Sequence, residues 1–385
     1  MSRTIRIKKG HNIRIQGKAE KIFKKAEHSG TYAVKPQDFC GLTPKLCVAP
    51  GDQVKTGSVL FYNKHRPEIK ITAPVSGTVS QIKRGERRRI LEVIIDAENE
   101  LQHNTFASGD PLKMTRDEII GSLLSAGLWP MIRQRPYAVI ADPATTPKSV
   151  FIPCFDTAPL APDYDFVVKG ENEAFQIGIN ALSKLTDGKI NITLNAEYPS
   201  SDVFTKTSGT EITFFSGPHP AGSVGVQIHH IDPVNKGDIV WYLFPQDVIT
   251  IGKLFGKGIY DSSRIVALTG SEVEKPIYYK TRIGADISSI HENKLKPGQK
   301  RFISGNVLTG TQVEENGYLG FYDSQITVIP EGNQFEFLGW AMPGLKKYST
   351  SRSFCSWMRP GGRYRINTNF NGGERAFVMS GEYER

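Results

Sequence analysis

Cysteine is scarce in this chain and badly spaced for metal chemistry. Cys40, Cys47, Cys154 and Cys355 are scattered over 385 residues and no two form C-x-x-C. A structural zinc or an iron–sulfur cluster therefore has no local ligand set, and the thiols read as reduced cytosolic cysteines. Long apolar runs are missing too; none approaches the ~20 residues that cross a bilayer. The start, Met1 to Lys9, alternates basic and apolar residues, lacks a secretory apolar core and reads as an edge strand. HExxH, GxSxG and a strand-following GxGxxG are all absent. Gly252-Lys253-Leu254-Phe255-Gly256-Lys257 is one residue short of a phosphate loop and lacks its Ser/Thr, so it reads as a helix end carrying glycines. His229 and His230 are adjacent; on a strand they would face opposite ways and could not share a metal.

What the chain does have is positive charge, net +9, in clusters. Residues 1–25 hold nine Lys/Arg against one acid, Glu20. Lys83-Arg84-Gly85-Glu86-Arg87-Arg88-Arg89 reads as a hairpin tip, and Lys346, Lys347, Arg352, Arg359, Arg363 and Arg365 form a third group with no acid between them. A solvated basic face, an anionic membrane surface and an acidic partner are the open readings. Nucleic acid is not expected, because no binding motif or aromatic-interleaved basic stripe accompanies the charge.

Period-2 alternation dominates residues 1–100. Val54, Val59 and Leu60 alternate with polar residues between Gly51 and Gly57, and Ala73, Val75 and Val79 continue the pattern around Ser76-Gly77. These two halves resemble the hammerhead of biotinyl and lipoyl carrier domains. The prosthetic lysine of such domains, seven residues before Ala73, is Arg66 here, which cannot form the amide. Beyond a polar boundary at 96–112 the period changes. Thr115-Arg116-Asp117-Glu118 predicts a capping box, followed by a helix ending near Gly127. Buried strands are expected at 137–140, 150–155, 190–194 and 212–215, with helices at 173–185 and 248–255: an α/β domain with a partly parallel sheet. From Arg264, strands at 264–269, 276–280 and 300–303 around a short helix at 285–290 suggest a β-grasp unit. Hairpin strands are expected at 325–330 and 335–340.

Two segments stand out as candidate sites. Gly217-Pro218-His219-Pro220-Ala221-Gly222 follows a strand and puts one imidazole in a rigid loop beside small residues, where backbone can approach a ligand. Trp340 precedes the third basic group and suits either a core cap or a partner-facing surface.

Several strings along the chain carry a resemblance: Ile7 to Gly10, Thr72 to Gly77, Ser125 to Trp129, Arg133 to Pro136, Asp156 to Ala161, Gly217 to Gly222, Ser304 to Thr311 and Phe337 to Gly344. Together they resemble the NqrA family, found in the bacterial sodium-translocating NADH:quinone oxidoreductase, the NQR complex. The expected fold is α+β and multidomain: a barrel-sandwich hybrid over 1–100, a Rossmann-like α/β domain over 101–258, an SLBB-like β-grasp domain over 259–310 and a small β or irregular segment over 311–385. Family members usually continue further, so a C-terminal segment is expected to be missing.

The resemblance implies a peripheral subunit on the cytoplasmic face of the bacterial inner membrane, docked on the membrane subunit NqrB. The complex passes electrons from NADH to ubiquinone and exports sodium ions. The NqrA-like chain is expected to hold no cofactor and no catalytic or metal-ligating residue. Gly217, Pro218, His219, Pro220 and Trp340 are the candidate quinone or partner loop, and Arg87, Arg88, Arg89, Lys346 and Lys347 the candidate docking surface, toward the other NQR subunits or an anionic membrane. Distant relatives, RnfC of the Rnf complex and the NADH-binding flavoprotein of respiratory complex I, carry a glycine-rich flavin loop. Here that region holds Trp129, Met131 and Ile132, which would fill the flavin's space. Two alternatives remain: an RnfC-like chain that itself binds NADH or flavin, and a carrier module modified on Lys64 or Lys70.

Overall fold

A computed structural model describes residues 3–333, 337–339, 341–348, 354–359 and 361–369. The hammerhead halves build two small sheets, Thr31–Val34, Ile90–Ala97, Gly77–Arg84 and Gln53–Val54 facing Pro44–Leu46, Val59–Asn63 and Arg66–Thr72. Leu60, Phe61, Ile71, Val75, Val79 and Val93 fill the space between them. Gly77 is obligatory: a Cβ there would lie 2.0 Å from the Asp96 carbonyl oxygen.

The second unit is a seven-stranded sheet. Ser149–Pro153 and Ile190–Asn195 lie at its middle and are buried on both faces as parallel strands are, the first as an apolar run and the second with Asn191 and Thr193 buried between its apolar residues. In sheet order the parallel strands run Arg3–Arg6, Glu211–Ser216, Ile190–Asn195, Ser149–Pro153, Val240–Tyr242; antiparallel Arg133–Arg135 then follows. The winding reverses between Ser149–Pro153 and Val240–Tyr242, which opens a crevice at their C-terminal ends. The Thr115–Glu118 capping box forms and starts the Arg116–Ser125 helix. Helices Asn172–Ser183 and Pro245–Lys257 cross closely. A Cβ on Gly178 would meet the Val248 carbonyl oxygen at 2.2 Å, and one on Gly252 the Ala174 carbonyl oxygen at 1.7 Å. The glycines of the near-miss phosphate loop are thus inside a helix, one of them serving helix packing. His229 and His230 also lie on a helix, Val224–Ile231, and not on a strand; no metal-holding group of His, Cys, Asp or Glu occurs among the described residues. Near 137–140 only Val139–Ile140 is strand. Ala138 takes a left-handed φ of 56°, and Tyr137 before it is 79% exposed.

The third sheet has six strands, in the order Thr311–Val313, Lys300–Ser304, Gln325–Pro330, Ser263–Thr269, Ile277–Arg282, Glu20–Lys25. It draws on residues either side of 259–310. The first 25 residues join neither sandwich sheet: Arg3–Arg6 extends the second unit and Glu20–Lys25 the third. Of the hairpin, Gln325–Pro330 forms as a strand, but 337–339 make a turn in place of the second strand expected at 335–340; residues 335, 336 and 340 lie outside the described residues.

Specific polar contacts bind the units together. Arg66, in the place of the prosthetic lysine, makes a two-pronged ion pair with Asp142 of the second unit. The Lys35 ammonium donates to the Tyr318 carbonyl at 2.8 Å, and the Asp38 carboxylate accepts the Phe321 N–H at 2.9 Å. Tyr322 donates its hydroxyl to the Pro130 carbonyl at 2.6 Å.

This packing can be tested at two points. Gly252→Ala should lose about 1–3 kcal/mol by overpacking the helix crossing, read as a lower denaturant midpoint; an unchanged midpoint contradicts the crossing. Burial pushes Asp38 up to about 6, against the opposing pull of Lys35 and the Phe321 N–H. A carboxyl whose pKa rises on folding favours the folded state while protonated and loses that advantage as pH climbs from its unfolded value, about 4, through 6. Asp38→Asn should therefore remove about 2–3 kcal/mol of the stability lost between pH 4 and 7, measured by urea unfolding against the unsubstituted chain. Parallel pH profiles contradict this.

Candidate functional site

A cleft of about 720 Å³ opens at the crevice, lined by all three units. Crevices at such reversal points are where open α/β sheets receive ligands. Past Ser149–Pro153 the chain enters the loop holding Asp156, whose carboxylate accepts the Ala158 N–H at 2.8 Å and is raised by burial. Past Glu211–Ser216 comes the His219 loop. The N-terminal segment clasps it: Asn12 Oδ1 accepts the His219 N–H at 2.8 Å, and the His219 carbonyl accepts the His11 N–H at 2.8 Å. Gly10 and Gly217 permit this approach, since a Cβ on either would lie 2.1 Å from a carbonyl oxygen, of His219 and Ile7 respectively. Thr157 Oγ1 accepts the Gly222 N–H at 2.9 Å and lies 3.1 Å from His219 Nδ1.

Arg133 occupies the middle of the cleft. Its guanidinium carbon lies 4.3 Å from the Tyr322 ring centre, 4.5 Å from Tyr242 and 5.0 Å from Phe244; that of Arg135 lies 5.1 Å from Tyr242. Arg133 Nε and Nη2 and Arg135 Nε are buried and have no protein acceptor among the described residues. Lys35, Asp38 and Asp323 add further charged groups to the lining. Asp323 accepts the Ser304 hydroxyl at 2.6 Å and is raised by burial. The cleft thus offers aromatic faces, charge-assisted donors and carboxyls that protonate readily: a lining suited to a planar ligand bearing carbonyl acceptors.

Beneath Arg133, Trp129, Met131 and Ile132 are fully buried, with Trp129 Nε1 donating to the Ala141 carbonyl at 2.8 Å and its ring edge-on to Trp241. They belong to the core.

The expected site residues separate. His219 lines the cleft. Gly217 and Pro218 line a different hollow, with Arg6, Ile7 and Lys8, and Pro220 lines neither. Trp340 falls outside the described residues. Arg87, Arg88 and Arg89 are exposed at the hairpin tip, where Arg87 and Arg88 adopt left-handed φ of 53° and 59°. Lys346 is exposed, whereas Lys347 lies 5.6 Å over the Phe354 ring. Sequence reasoning misses Arg133, Arg135, Tyr242, Phe244 and Tyr322 as a site. Arg133-Gln134-Arg135-Pro136 stands out as a string, but its aromatic partners come from distant segments.

Comparison with known proteins bears on identity. Residues 5–98 match the family described as the NqrA N-terminal barrel-sandwich hybrid domain, 114–260 the NqrA second alpha/beta domain, and 265–315 the NQRA C-terminal domain. Among curated proteins, the chain is 39% identical to the A subunit of Na(+)-translocating NADH-quinone reductase from Yersinia pestis bv. Antiqua (strain Angola), over 99% of this chain and 86% of that one. The corresponding chains of Pasteurella multocida and Rhodopirellula baltica are 38% and 37% identical, each over 99% of this chain and over 85% and 84% of their own lengths. Among solved structures, an air-oxidized NAD+-reducing NiFe hydrogenase is similar at a TM-score of 0.36 and 13% identity, over 52% of this chain and 42% of that one, a likeness too slight to carry weight. With matches to all three domains and relatives at this identity over nearly its full length, the chain belongs to the NqrA family, the A subunits of the Na(+)-translocating NADH-quinone reductase, an NADH:quinone oxidoreductase complex.

Proposed function

We propose that this chain is a cofactor-free, peripheral subunit of a sodium-translocating NADH:ubiquinone oxidoreductase, that it docks on the membrane subunit NqrB at the cytoplasmic face, and that its cleft receives a quinone headgroup. The observation that carries the reading is Arg133, held among three aromatic rings with buried N–H groups still open. A quinone is a flat ring with two carbonyl oxygens; the rings of Tyr242 and Tyr322 can stack on it while Arg133 and Arg135 donate to its oxygens, with the His219 imidazole on the same cleft wall. Trp129, Met131 and Ile132 support the absence of flavin: a phosphate or isoalloxazine needs close backbone approach, and these side chains take that space. The role is positional. Electrons pass through other members of the complex, and this one holds and orients.

Docking is proposed through the arginine hairpin. A left-handed backbone costs a side-chain-bearing residue about 1–2 kcal/mol, and the tip holds two such residues in succession while presenting Arg87, Arg88 and Arg89 to solvent. Strain of this kind suits a recognition tip. No helix among the described residues is long and apolar enough to cross a membrane, so attachment through a surface fits the described elements.

Photo-crosslinking with an azido-quinone in the whole complex should label peptides carrying Arg133 or Tyr322, and Arg133→Ala should cut that labelling about tenfold, the weight of one charge-assisted hydrogen bond. Labelling confined to other chains of the complex would overturn quinone contact. Flavin absorbance in stoichiometric amount with the purified chain would overturn the cofactor-free reading. Replacing Arg87, Arg88 and Arg89 by Gln should lower co-purification with the membrane subunits; unchanged recovery counts against the arginine tip.

A further inference from the structure

The Glu20–Lys25 strand ends the six-stranded sheet and pairs on one side only, parallel to Ile277–Arg282 from Glu20↔Ile277 to Lys25↔Lys280. All six of its residues are exposed, with Ile22 at 38% and Phe23 at 50%. Proteins usually shorten such an edge, interrupt it with proline or cover it, because its unpaired N–H and C=O groups template another strand. This one has six residues and no proline. Its protection is charge: Lys18, Lys24, Lys25 and, on the neighbouring strand, Lys280 make no ion pair among the described residues. Lys294 lies close by over the Tyr279 ring. The acids nearby are Glu20, Glu27 and Glu292, together with Asp163, which binds Lys21 at 2.6 Å, and Asp165, which feels the same lysine's charge. A lysine-rich edge repels a second copy of itself and attracts a strand of opposite sign.

We propose that this edge receives, as an added strand, an extended acidic segment from another protein of the complex. Its backbone pairs with Glu20–Lys25, its carboxylates meet Lys24, Lys25 and Lys280, and an apolar side chain covers Phe23. Main-chain pairing supplies affinity in this mode and the side chains supply choice of partner. Lipid headgroups would answer the lysines as well, but they offer no row of alternating donors and acceptors to an open strand edge. The inference rests on the reading that the chain assembles into the complex and specifies one surface that does so.

Hydrogen–deuterium exchange of residues 18–26 tests it, in the isolated chain and in the whole complex. Exchange at least tenfold slower in the complex is expected, and Lys24→Glu with Lys25→Glu should abolish the difference while leaving circular dichroism unchanged. Equal exchange in both states overturns the added strand, while continued co-purification would leave assembly itself standing. Failure to co-purify at all would instead overturn the reading beneath it. Salt-sensitive binding of the isolated chain to phosphatidylglycerol vesicles, lost in the double variant and accompanied by equal exchange, would give the patch to lipid and overturn the proposal. Protection that grows with concentration of the isolated chain would give it to a second copy and do the same.

Discussion

Arg133 among Tyr242, Phe244 and Tyr322 is the contact on which the arrangement of the cleft depends. Tyr242 and Phe244 come from the end of a parallel strand, and Tyr322 from the third unit, fixed by its hydroxyl to the Pro130 carbonyl. A guanidinium over aromatic faces, partly shielded from water, is worth on the order of 2 kcal/mol and fixes ring orientation as well. The same contact closes the third unit over the crevice of the second. Lys35 and Asp38 then fasten the first unit to the rim. One side chain therefore ties the domain arrangement to the chemistry of the lining.

The first unit shows how a carrier-like fold can serve a different end. Where a swinging-arm domain carries its lysine, Arg66 grips Asp142, and Thr72 and Pro74 beside it bond to Ala126 and Ser262. The hairpin that would present a prosthetic group to solvent is held against the next domain. The α/β unit keeps a crevice at its reversal point, and Trp129 and Met131 pack in its core.

Much of the architecture is legible in the chain because it is local. Alternation around Gly51, Gly57 and Gly77 specifies the sandwich, Thr115 and Glu118 the first helix, and the apolar run at 150–155 with the alternating segment at 190–194 the central strands. What escapes is non-local or backbone-dependent. The Arg3–Arg6 and Glu20–Lys25 strands carry no mark of which sheet they join: the first alternates as it would at any sheet edge, and the second is exposed throughout, with no buried face to place it. His229 and His230 read as strand residues, but 224–231 follow a small-residue turn and bury Val224, Gln227 and Ile228 at helical spacing. His219 is visible because its loop is unusual in composition. Arg133 and Tyr322 are not, because their meeting is set by the domain arrangement and leaves no spacing in the chain.

The central claim is that the aromatic cleft around Arg133 is where this protein meets quinone. Determining the structure of the whole complex with a short-chain quinone bound tests this most directly. The account predicts ring density in the cleft against Tyr242 or Tyr322, with an oxygen in hydrogen-bond reach of the Arg133 guanidinium. Quinone density elsewhere, with the cleft holding only water and Arg133 unmoved, would contradict it.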